Sequence, residues 1–200
     1  VGRIKSGFPA GFGIWSGDES EAVENPSVDA LHGQRTLRLV RAEREPVLPN
    51  FDAKSCDVYQ LVDLRSSMVD VAKGQATLEL SVQFLDARES AGEQVKFICR
   101  LHVFSGSPDS LIAQWPITQK DALASGSSSF DSDGGSPLAW RQVATRVLVP
   151  PQADFAVVHL VVHMPNAPQG SEATFGKQFA DDVRLTLKTQ PSLPVRLAQQ

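Results

Sequence analysis

The chain has 200 residues, of which 42% are hydrophobic and 21% charged, and its formal net charge is -4. That is the make-up of a folded globular chain about the size of one all-β domain. The acidic balance argues against a general nucleic-acid binder, which carries a basic face. No apolar run reaches the roughly 18 residues that a membrane-spanning helix needs.

Strand signals dominate from start to end. A short strand is predicted near "GFGIW", and "EAVENPSVDALHG" reads as loop. "TLRLV" (36–40) and "DVYQLVDL" (57–64) follow as strands. In "ATLELSVQF" (76–84), Ala76, Leu78, Leu80, Val82 and Phe84 alternate with Thr77, Glu79, Ser81 and Gln83, the period of a half-buried strand. "QVKFICRLHVF" (94–104) repeats the pattern with Lys96, Arg100 and His102 outward, and Cys99 reads as a small buried hydrophobe. "SLIAQW" (110–115) is a further candidate strand, and "ITQKDALAS" holds one short turn.

"SGSSSFDSDGGSP" (125–137) is polar and rich in turn residues, and it predicts a flexible loop. "RQVATRVLV" (141–149), "DFAVVHLVVHM" (154–164) and the closing "ADDVRLTL" (180–187) complete a set of about nine strands. In the long apolar strand, Ala156, Val158, Leu160, Val162 and Met164 form the core face; Val157, His159, Val161 and His163 face outward. Antiparallel strands with long, uneven connections predict an all-β, two-sheet jelly-roll sandwich in one domain over 1–188. The Pro-containing tail 189–200 reads as a linker. The chain opens on Val1, as a fragment or mature form from which a leader has been removed would.

"LAWRQVATRVLVPPQADFAVVHLVVHMPN" followed by "FADDVRLTL" resembles the second half of galactose-binding-like jelly rolls, nearest in type to carbohydrate-binding modules of the families 4, 9 and 22 group. Trp140, Pro150, Val157 to Val162 and Asp181-Asp182-Val183 carry the likeness in that order. "IWSGD", "GQRTLRLV" and "DVYQLVDL" match more loosely, so it runs from about 12 to 188. The start lacks the family's Asn and acidic pair, and 66–75 replaces a compact turn. The chain is also similar, more loosely, to the C-terminal domain of bacterial FecR-like membrane regulators. The resemblance implies buried positions for Trp15 and Trp140, a glycan as ligand, an extracytoplasmic setting and a structural calcium near the last strand.

Calcium wants several oxygens, which Asp181 and Asp182 at a strand start beside a loop would help to supply; backbone amides and arginines are the other partners open to them. "DSDGG" (131–135) opens like a calcium loop, but the twelfth position is Gln142, so the EF-hand pattern fails. His159 and His163 lie about 13 Å apart on a strand and cannot share one ion. With His102 and Arg100 they would line a polar sheet face, either a sugar site or plain solvated surface. Sugars stack their CH faces on exposed rings, and Trp115 and Tyr59 are the candidate platforms.

No GxSxG, HExxH, P-loop or GxGxxG after a strand is present, which points away from an enzyme. A non-catalytic carbohydrate-binding module is the leading expectation. A protein-interaction or sensory domain of a cell-envelope regulator is the alternative, and a hydrolase on a jelly roll a distant third.

Overall fold

The computed structural model describes residues 2–24, 28–45, 47–49, 51–67, 74–135 and 138–191. Most of the expected tail (192–200) and most of the 66–75 departure (68–73) lie outside the described residues.

The described chain forms two sheets of six strands. Sheet A contains β1 (Gly2–Arg3), β4 (Glu19–Val23), β5 (Thr36–Arg41), β12 (Thr174–Pro191), β7 (Gly74–Asp86) and β10 (Arg141–Leu148), in that spatial order. Sheet B runs β2 (Lys5–Ser6), β3 (Trp15–Gly17), β6 (Ser55–Asp63), β11 (Phe155–His163), β8 (Ala91–Phe104), β9 (Ala124–Gly134). Pairing is antiparallel except between β2 and β3. The all-β jelly-roll sandwich expected from the sequence is the architecture.

The alternation read from the sequence builds the interior. Leu78, Leu80, Val82 and Phe84 on β7 meet Phe97, Cys99 and Leu101 on β8 and Val158, Leu160 and Val162 on β11 in one apolar cluster, with Val183 partly buried against it. Cys56 and Cys99 are both buried and free.

Three expectations need correction. "SGSSSFDSDG" (125–134) belongs to strand β9 and is not a loop. Its alternation is Ala124, Gly126, Ser128 and Phe130 half-buried against exposed Ser125, Ser127, Ser129 and Asp131. Strand propensity is poor, but pairing with β8 supplies the hydrogen bonds, and Phe130 stacks on Phe97 with centroids 5.0 Å apart. A side chain at Gly126 would come within 2.6 Å of Thr145 Oγ1, so glycine lets β9 close against β10. "SLIAQW" is not a strand: Asp109–Ile112 form the short helix α1, and turns follow. Finally, β12 continues through Pro191, so the first residues of the expected tail are strand.

Candidate functional site

The fold brings five of the six expected binding residues together. Tyr59, His159 and Arg100 are direct cross-strand neighbours on β6, β11 and β8. His102 lies one step along β8 on the same face, 6.3 Å from His159 between ring centroids. Trp115 joins them from the connection between β8 and β9, 5.6 Å from Tyr59 and 5.8 Å from His102. His163 is half-buried farther along β11, opposite Lys96 and Ser55.

The structure does not leave these groups as an open face. Trp115 and Tyr59 are each only 3% exposed, and His159 only 1%. Neither ring is an exposed platform, and the outward face of β11 is not solvated. Phe8 and Phe12 from the N-terminal segment, and Leu111, Trp115 and Ala122 from the β8–β9 connection, cover it. The cause is visible in "FAVVHLVV": nearly unbroken apolarity is the mark of a strand buried on both faces.

Beneath this cover lies a polar network. His159 Nε2 and Asp57 Oδ1 are 2.5 Å apart, and Ser55 also donates to Asp57. Burial would raise the Asp57 carboxyl, but the hydrogen bonds from His159 and Ser55 overcome it and hold the group below the usual range. Burial lowers His159, so a neutral imidazole donates Nε2–H to an ionised carboxylate. Burial, with His159 next in effect, lowers His102 to about 3.

Asp18 closes the other side. Its Oδ2 accepts the Asp57 amide at 2.8 Å, and the Asp18 amide donates to the Asp57 carbonyl at 2.8 Å. Gly17 permits this approach, because a Cβ there would sit 2.1 Å from the Asp57 carbonyl oxygen. Burial first, then the charge of Asp57, pushes Asp18 up to about 9. Burial, Asp57 and Glu43 push Glu45 up to about 7.

Asp181 and Asp182 take separate roles. Asp181 Oδ2 accepts the amides of Leu31 at 2.7 Å and His32 at 3.3 Å, and Oδ1 accepts the Asp182 amide at 2.7 Å. It ties the loop before β5 to the last strand. Asp182 has a positive φ of 48° at a bulge in β12 and accepts from Arg184 Nε at 2.7 Å. Asp tolerates this left-handed conformation better than most residues. Among the described residues no three His, Cys, Asp or Glu side chains gather around a common point.

The bulge turns Asp182 toward a cleft that sequence reading missed. Where β3 and β6 face β5 and β12, the sheets part and leave about 470 Å³. Trp15 and Gln60 form one wall; Leu37, Asp182, Val183 and Leu185 form the other. Trp15, assigned to a buried family position, is half-buried and borders the opening. Gln60 is held by a bond from Nε2 to the Gly13 carbonyl at 3.2 Å. The only sequence signal was a polar residue at an inward position: Gln60 pairs across to Val158, a core residue. A broader depression of about 870 Å³, lined by Glu24, Asp29 and Gln34 among others, has no aromatic wall.

No family model and no curated protein matches this chain. Thirteen solved chains do. One is titled "Family 16 Carbohydrate Binding Module-2", is 14% identical and shares 84% of each chain's length with a TM-score of 0.38.

Proposed function

We propose that the protein is a non-catalytic binding module and that the cleft at Trp15 receives a neutral carbohydrate. One observation carries this reading: a cleft of about 470 Å³ pairs a half-buried indole with an amide and a carboxylate. An indole takes the CH-rich face of a sugar, and Gln60 and Asp182 stand where hydroxyls would donate. The volume suits a small ligand or a chain end rather than a long polysaccharide.

The expected contacts of Trp115, Tyr59, His102 and His159 with ligand are not part of this reading, since these residues are sealed. Arg100 and His163 remain half-exposed on the same outer face of sheet B, beyond the cover and near exposed Ser127 and Ser129, and offer a secondary polar surface. A structural calcium would have to engage Asp182, because amides already occupy both oxygens of Asp181. The reading extends to an extracytoplasmic setting, the one the sequence resemblance implies.

The test is a glycan array followed by calorimetric titration of any neutral oligosaccharide that binds. Trp15→Ala should weaken binding at least tenfold and Gln60→Ala several-fold, with the fold intact by circular dichroism. Binding that is indifferent to both changes, or an array without a hit, sinks the reading. In the latter case the apolar floor of the cleft turns attention to a protein partner.

A further inference from the structure

Buried polar atoms in folded proteins almost always have a partner. Six side-chain nitrogen or oxygen atoms among the described residues are buried without a well-formed one: Ser16 Oγ, Thr36 Oγ1, His102 Nε2, Trp115 Nε1, Thr118 Oγ1 and His159 Nδ1, of which Trp115 Nε1 has the Tyr59 phenol near it as an imperfect acceptor. They are not scattered. His102 and His159 lie on the outer face of sheet B, and Ser16 pairs with Tyr59 in the same row. Trp115 and Thr118 belong to the segment covering that face. Only Thr36, on sheet A, stands apart.

The chemistry of the atoms narrows what would satisfy them. His159 gives its Nε2 proton to Asp57, so the neutral ring offers a bare lone pair at Nδ1. The Trp115 indole can only donate. His102 shares Nδ1 with Ser125 Oγ at 2.9 Å, which leaves Nε2 to complement whichever role that bond takes. The guest must therefore donate to one group and accept from its neighbour. A carboxylate only accepts and an ammonium only donates; a hydroxyl does both. The His102, His159 and Trp115 rings stand 5.8–6.3 Å apart. Two hydrogen bonds through one oxygen span up to about 5.8 Å, the same scale as these ring separations. A small crevice of about 90 Å³, bordered by Phe8, Tyr59, Trp115 and Glu45, leads to the edge of this layer.

We infer that the layer between sheet B and its Trp115 cover is a binding site for hydroxyl groups, filled by ordered water or by a small polyol that replaces it. The site is on the opposite face of sheet B from the Trp15 cleft and stands or falls independently of the proposed function.

The test is nuclear magnetic resonance on the full ¹⁵N-labelled chain. The indole N–H of Trp115 is assigned by its loss in Trp115→Phe. If that variant does not fold, Trp15→Phe and Trp140→Phe assign it by elimination. The indole proton should show a rotating-frame cross-peak to a bound hydroxyl that persists in Tyr59→Phe, which removes relay through the neighbouring phenol. Glycerol is then added as the polyol probe. Loss of the water peak with new contacts to glycerol carbon-bound protons assigns the site to polyols; an unchanged peak assigns it to water. No direct hydroxyl contact under either condition overturns the inference.

Discussion

The two faces of β11 are both buried, but against different things. The inward face, Ala156, Val158, Leu160 and Val162, packs on sheet A in a layer of aliphatic and aromatic side chains. The outward face, Phe155, Val157, His159 and Val161, packs under a cover drawn from the N-terminal segment and the β8–β9 connection. The inner layer is apolar and closes on itself. The outer layer carries a neutral histidine hydrogen-bonded to a carboxylate, carboxyls that resist ionisation and unpartnered nitrogens. One strand can thus serve a stabilising layer and a polar one at once, because successive side chains point to opposite faces.

The largest expected effect lies in the inner layer. Phe97→Ala removes a fully buried ring that contacts Phe84 and Phe130, and should cost about 3–5 kcal/mol by denaturant unfolding. A loss under 1 kcal/mol would show that the interior is not the main source of stability.

The outer layer should respond nearly as strongly, but for an electrostatic reason. His159→Leu keeps an apolar volume and leaves the Asp57 carboxylate without its buried donor, at a cost of about 3 kcal/mol at neutral pH. That cost should shrink as acid protonates Asp57, whereas the cost of Phe97→Ala should not depend on pH. A pH-independent loss for His159→Leu would mean that the two layers do not differ in kind.

Asp18 and Glu45 give the comparison a pH signature. Both carboxyls are raised, from 3.8 to about 9 and from 4.5 to about 7. The folded state therefore holds protons that the unfolded chain releases. Their contribution to stability is full below about pH 4 and is lost as pH rises through about 7 and then about 9. The melting temperature should fall over that range. Asp18→Asn keeps an acceptor for the Asp57 amide and cannot ionise, so it should flatten the upper part of the fall and add roughly 1–3 kcal/mol at pH 8. Asp86 is the contrasting case: burial opposes its ionisation, but Arg88 and Ser132 hydrogen bonds outweigh burial and lower it.

Smaller effects are expected at the margins. Asp181→Ala removes the acceptor of three backbone amides and should cost about 1–3 kcal/mol. With amides as the partners, chelation should leave the wild-type melting temperature unchanged; a drop on chelation would identify a bound cation. Trp140 is half-buried against Phe179 and Leu85, with its Nε1 donating to the Asp29 carbonyl at 3.2 Å. Truncating it should therefore cost about 2 kcal/mol, below the range of a core aromatic.

The sequence by itself determined the strands whose side chains alternate cleanly. Residues 76–84 and 94–104 could face the core in only one register, because a one-residue slip exposes the whole apolar set. The need of Asp181 for donors was equally legible, although the structure sets it beside a bulge inside β12 and not at a strand start; which donors was not, because they come from a loop about 150 residues earlier. Leu111 and Trp115, four apart, carried a helical spacing that the strand reading of "SLIAQW" overrode.

Tertiary structure alone decided three things. β9 is a strand because β8 offers it an edge, despite residues that favour turns. The face with Tyr59 and His159 is buried because distant segments fold over it, and local periodicity reports which residues share a face but not what covers that face. The Trp15 cleft exists because two sheets part there and a bulge turns Asp182, and a gap between layers has no signature in the order of residues along either one.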